Sequence, residues 1–134
     1  MNLSLMPSVL DDMVMHSKTV FPVEACGLVV GRGEEATRFI PAPNSLESET
    51  AYEIDPGFLA STFRSIRESG EELVAIFHSH PQGPAEPSST DLKRAYYPEA
   101  AHLIMSLEDQ ERPMMRGFRI IDGRAFEIEL HAIV

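Results

Sequence analysis

Leu73-Val74-Ala75-Ile76-Phe77 is an unbroken apolar run that leads straight into His78-Ser79-His80. A strand with one wet face alternates apolar and polar residues, whereas a strand covered on both faces reads as a continuous run of this kind. The segment therefore predicts a central strand with helices packed on both sides of its sheet.

The flanking sequence supplies those helices. Asp55 suits an N-cap, Pro56 the first helical position and Gly70 the stop, with Phe58, Leu59, Thr62, Phe63 and Ile66 forming a stripe between them. An earlier helix is predicted over 8–20 from Val9, Leu10, Met13, Val14 and Val20, ended by Pro22. Gly27 to Gly31 reads as a strand, and 36–41 as its partner after the turn at Gly33-Glu34-Glu35. Residues 42–53 are polar and irregular. Beyond the apolar run, a Pro- and Gly-rich loop (81–87) leads to a third helix expected from near Ser88 to before Pro98. Three more strands are predicted at 102–107, 115–122 and 125–131, the last two joined by a hairpin at Asp122-Gly123. This order gives the α/β (α+β) class, a central mixed β-sheet flanked by helices. No repeat or linker divides the 134 residues, so 1–134 is read as one domain.

Net charge is −10, with 11 Lys and Arg against 21 Asp and Glu, which argues against nucleic-acid binding. An acidic surface of this kind keeps a protein soluble. The single cysteine, Cys26, cannot form an internal disulfide, so folding does not depend on an oxidising compartment. Met1 to Pro7 carries no basic segment and no long apolar run, and reads as neither signal peptide nor membrane span. The expected location is the cytoplasm.

His78 and His80 lie where the buried strand runs out. Residues i and i+2 of a strand project from one face, so both imidazoles can reach one ion. Asp91 follows on the first turn of the next predicted helix. Two nitrogens and one carboxylate oxygen form a three-ligand set that leaves the fourth position of a tetrahedral zinc open, the catalytic rather than the structural pattern. Plainer readings exist for each part. A His-x-His pair also occurs at polar strand ends, and Ser88 with Asp91 three residues on is the pattern of a capping box. The conjunction of apolar strand, two histidines, rigid loop, Ser and Asp favours the metal.

His78-Ser79-His80-Pro81 followed by Pro87-Ser88-x-x-Asp91 resembles the full motif of the JAMM (MPN-plus) metalloprotease family. A second block, Pro22-Val23-Glu24-Ala25-Cys26-Gly27-Leu28-Val29-Val30-Gly31, is similar to the family's strand bearing the catalytic glutamate, with weaker echoes near Asn44 and at Tyr52-Glu53-Ile54-Asp55-Pro56. The resemblance runs from about residue 8 to the end of the chain. It implies an MPN/JAMM domain of cytidine-deaminase-like architecture, with one catalytic zinc ion on His78, His80 and Asp91. Glu24 would be the acid/base and Ser88 an oxyanion donor. The implied reaction is cleavage of an amide bond at the C-terminal Gly-Gly tail of a ubiquitin-like or sulfur-carrier protein, and the chain resembles stand-alone prokaryotic members. The tail is expected to dock on a sheet edge by β-augmentation. Oligomeric state stays open.

Cys26 is expected to be a small buried hydrophobe, and His16, His102 and His131 structural or exposed. Motifs for a second, structural zinc are missing. Three rivals remain: an inactive MPN interaction module, a zinc amidohydrolase of another substrate, and a DNA-repair-associated relative, which the acidic charge disfavours. A zinc deaminase is disfavoured because its Pro-Cys-x-x-Cys half is absent.

Overall fold

Chain order is β1 (Asn2–Leu5), α1 (Pro7–Val20), β2 (Cys26–Arg32), β3 (Glu35–Ala42), α2 (Pro56–Ser69), β4 (Glu72–His80), α3 (Ser89–Lys93), β5 (Ala101–Ser106), β6 (Met114–Ile121) and β7 (Arg124–Ala132). The computed structural model describes residues 2–132. Its strands form a closed barrel ordered β1-β3-β2-β4-β5-β6-β7. Pairing is mixed: β4 runs parallel to β5 and antiparallel to β2, and β1 runs parallel to both β3 and β7.

The apolar run is the middle of β4, buried from Val74 to Ser79. On one side Ala75 and Phe77 join Val9 and Met13 of α1 in an apolar cluster. On the other, Ile76 packs with Cys26, Leu28 and Ile66, the last from α2. Both faces of β4 are covered, as a continuous apolar run requires. Helix α2 carries the expected ends: Asp55 Oδ2 accepts from the Phe58 N–H at 3.0 Å, and Gly70 closes it in the left-handed region at φ 76°. The β6–β7 hairpin turns at Asp122 and Gly123, both with positive φ (52° and 74°), as a two-residue turn demands.

The mixed sheet closes on itself through β1, which pairs with β7 from Asn2 to Leu5 but with β3 only at Glu35 and Ala36. Strand β1 went unpredicted because its whole apolar signal is two residues, Leu3 and Leu5, and its partners lie far along the chain. Helix α3 begins beside Ser88 and ends before Pro98, as expected, but is a single turn closing at Lys93; Tyr97 beyond it packs edge-on against Phe63 of α2 at 5.8 Å. Among the described residues no helix is long and apolar enough to cross a membrane, which says nothing of strands.

Candidate metal centre

Alternation along β4 turns Ile76, His78 and His80 to the face that carries α2 and α3, while Ser79 turns inward. The loop after His80 is stiffened by three prolines and tied down at two points. Ser106 Oγ donates to the Gly83 carbonyl at 2.7 Å, and His80 Nδ1 donates to the Pro84 carbonyl at 2.8 Å. The chain then enters α3 through a complete capping box: the Asp91 N–H donates to Ser88 Oγ at 3.0 Å, and the Ser88 N–H donates to Asp91 Oδ2 at 2.9 Å. Capping and delivery of the aspartate are thus one arrangement. The capping-box reading and the ligand reading of this pair do not compete.

The outcome is a triangle. His78 Nε2 and His80 Nε2 are 3.1 Å apart, and each is 3.1 Å from Asp91 Oδ2. Zinc–ligand bonds of 2.0–2.2 Å in tetrahedral array put neighbouring ligand atoms about 3.3 Å apart. The chemistry agrees with the spacing. A carbonyl has no hydrogen to give, so His80 Nδ1 must carry the proton facing Pro84, and a neutral His80 then turns its Nε2 lone pair toward the other two atoms. Electron-rich atoms held this close call for a cation between them. The residues fit a metal ion.

Glu24 reaches the same place from the start of β2. Cys26 pairs with His78, and the Ser79 N–H donates to the Ala25 carbonyl at 2.9 Å, which brings Glu24 alongside the end of β4. Its Oε1 lies 3.9 Å from His78 Nε2 and has no hydrogen-bond partner, with the side chain only 2% exposed. One ligand atom from each of Glu24, His78, His80 and Asp91 falls within 4.8 Å of the others. Burial pushes the Glu24 carboxyl up to about 8, with the neighbouring Asp91 adding to the rise and His80 opposing it. Burial also raises Asp91, but in the metal-free protein imidazole N–H groups of His78 and His80, when protonated toward it, more than offset this and hold the carboxyl well below the usual range.

Sequence reasoning missed two contributors. Tyr52 stacks on His78, ring centroids 4.7 Å apart at 23°, and Asn44 binds the backbone of Glu24. Tyr52 carries only a faint family echo with no role attached, being brought in by a loop; Asn44 in an irregular polar stretch is a turn signal, since its side chain readily bonds the backbone two residues on. A cavity of about 340 Å³ opens beside the triangle, with Leu28, Ile76 and His102 on its floor and Tyr52, Asp91 and Tyr97 at its walls. His102 is buried there, and burial pushes its imidazole down to about 4. Neither His16, half-buried against Phe39, nor His131, exposed beside Glu129, belongs to the cluster. Cys26 is buried with its thiol on the Ala42 carbonyl, outside the ligand set as expected.

A closed barrel in which the end of β4 and the start of α3 gather two imidazoles and a carboxylate, joined by Glu24 from before β2 in a group able to hold a metal ion, is matched by the JAB/MPN class. The family model for prokaryotic homologs of the JAB domain matches residues 6–121, and the chain belongs to that family. It is 35% identical over 123 residues to the CysO-cysteine peptidase of Mycobacterium tuberculosis, spanning 90% of this chain and 84% of that one. It is 33% identical over 111 residues to the desampylase of Haloferax volcanii, spanning 78% and 80%. A protein of Desulfitobacterium hafniense solved in solution superposes with a TM-score of 0.90 at 31% identity, over 99% of this chain and 93% of that one.

Proposed function

We propose that the protein is a zinc metallopeptidase that hydrolyses the amide bond after the C-terminal Gly-Gly of a ubiquitin-like or sulfur-carrier protein. One observation carries the reading: a buried carboxylate, Glu24, holds its Oε1 without a hydrogen-bond partner beside three converging ligand atoms. That is the layout of a hydrolytic centre, since a purely structural metal site is closed by protein ligands and needs no acid/base group.

In this reading His78, His80 and Asp91 hold the ion, which when bound supplies Lewis acidity at neutral pH. Glu24 takes a proton from the attacking water and returns it to the leaving amine. The carbonyl carbon gains a hydroxyl as its bond to nitrogen breaks, and such acid/base assistance is worth about 10²–10⁴-fold. A carboxyl whose proton affinity lies close to neutrality suits a group that must both accept and release. Ser88 Oγ already accepts from the Asp91 N–H, so its own hydrogen is left to donate to the developing oxyanion. Glycines next to the scissile bond let the backbone approach a crowded metal face.

The relatives support the bond class: one is a CysO-cysteine peptidase, the other a desampylase. The test is mass spectrometry of Gly-Gly-tailed carriers, each extended by an amino acid or joined to a lysine, after incubation with zinc-loaded protein. Cleavage directly after the second glycine, abolished by a chelator and restored by zinc, is expected. Intact carriers alongside cleavage of an unrelated amide would overturn the assignment.

A further inference from the structure

Glu24 precedes β2, so neither of its backbone polar groups belongs to the barrel's ladder. Both are nonetheless bound, and both by the irregular stretch between β3 and α2. The Glu24 N–H donates to the Ser48 carbonyl at 2.9 Å, and the Glu24 carbonyl accepts from Asn44 Nδ2 at 3.1 Å. That stretch has no helix or strand to hold its shape. Its shape rests on the same asparagine. Asn44 Oδ1 accepts from the N–H groups of Leu46 at 3.1 Å and Glu53 at 3.2 Å, while Nδ2 also donates to the Ala51 carbonyl at 2.9 Å. Two hydrogens on Nδ2 meet two near carbonyls, with the Ser48 carbonyl a longer third at 3.4 Å, and two N–H groups face Oδ1. The amide is saturated, and only one orientation of it satisfies the network.

We propose that Asn44 is the positioning residue of Glu24, fixing the acid/base carboxylate against the metal ligands by tying its peptide to a loop that the same side chain closes. The assignment rests on the hydrolase reading above. On the opposite side, Ser79 Oγ accepts from the Ala25 N–H at 2.8 Å, so the next peptide is hooked to the strand that bears both histidines. Glu24 is held between these two attachments, one to the metal strand and one to the loop. Its Oε1, the oxygen nearest the ligands, has no hydrogen bond to orient it, so its placement leans on the backbone. Misplacement of a reacting group by about 1 Å can cost roughly 100-fold in rate.

Asn44→Asp isolates the idea. It is nearly isosteric and keeps the acceptor for Leu46 and Glu53, but it puts a carboxylate oxygen against the carbonyls of Glu24 and Ala51. On a Gly-Gly-tailed carrier, kcat is expected to fall about tenfold or more with KM within about threefold, since substrate contacts are untouched. Zinc affinity, read by chelator competition, should not change. Hydrogen exchange of the Glu24 amide should accelerate about tenfold while the amides of His78 and Ser79 keep their protection. Unchanged exchange at Glu24, or a zinc affinity that falls in step with kcat, would overturn the proposal, because the residue would then be idle or merely structural. If the Asp variant does not fold, Asn44→Ser, whose hydroxyl can still close the turn onto Leu46, takes the same measurements. Should wild-type protein leave every carrier intact, the hydrolase reading fails while the exchange result still decides the clamp.

Discussion

The three metal-facing side chains come from one short stretch, with His78 and Asp91 only 13 positions apart, whereas Glu24 enters from a segment whose Ala25 meets Ser79 across 54 positions. The first group is built by short-range rules. Strand alternation aligns the imidazoles, prolines stiffen the connection and a capping box aims the aspartate. The second is built by hydrogen bonds from a loop with no regular structure. A site assembled this way should fail in two separable modes, loss of the metal on one side and loss of turnover on the other.

The largest effect belongs to the short-range half. Asp91→Ala removes a ligand and half of the capping box together. Metal affinity should drop beyond the roughly 10–100-fold that losing an outer partner costs, and helix capping should cost about 1 kcal/mol. Metal content after dialysis checks the first and thermal unfolding of the metal-free protein the second. A stoichiometric metal in this variant would mean the triangle is not the binding site.

Next comes the remote half. Glu24→Gln should keep the metal and lose about 10²–10⁴-fold in kcat. It should also stabilise the metal-free protein at neutral pH. Burial raises the folded-state carboxyl from 4.5 to about 8, so the charged form is the disfavoured one. The wild type therefore holds its full stability below the unfolded value and loses it as pH climbs toward 8, whereas the glutamine variant does not. Denaturant curves at acid and mildly alkaline pH should diverge, with the variant ahead by up to about 5 kcal/mol at the alkaline end. Parallel curves would show that Glu24 is better solvated than its burial indicates.

The same division governs what could be read in advance. The covered strand, the capped helix α2, the Asp122-Gly123 hairpin and the His, His and Asp set all rest on neighbours within a few residues, and each was legible. Strand β1 was not, because two leucines carry its apolar signal and its hydrogen-bond partners sit at the far end of the chain. With β1 unseen, barrel closure was unseen too. Glu24 was legible only through its family block, since nothing in its spacing from His78 places it there. Asn44 and Tyr52 carry only faint family echoes without a role, because what they do depends on the path of residues 42–53.

Ser88→Ala tests whether capping and chemistry share one hydroxyl. The metal should stay, stability should fall by about 1 kcal/mol, and kcat should drop by about 10²–10³-fold if an oxyanion donor is lost. Ser88→Asn separates the two, since asparagine caps as well as serine but sets its polar atoms further from the helix start. Recovered stability with kcat still low is the expected pattern; recovery of both would reduce Ser88 to a cap.

The smallest effect sharpens the comparison most, because Tyr52 belongs to the remote loop yet touches the short-range half. His80 is oriented by its bond to Pro84, but His78 Nδ1 is buried without a hydrogen-bond partner. What faces the His78 ring instead is the stacked Tyr52, near-parallel at 4.7 Å. Tyr52→Phe keeps that ring and should leave zinc affinity within about twofold, whereas Tyr52→Leu forfeits a stacking contact worth about 0.5–1.5 kcal/mol, or roughly 2–10-fold in affinity. Chelator competition on the two variants side by side makes the measurement. If leucine serves as well as phenylalanine, the ring merely fills space, and the two halves of the site are joined by the pairing of β2 with β4 and the bonds between Ala25 and Ser79.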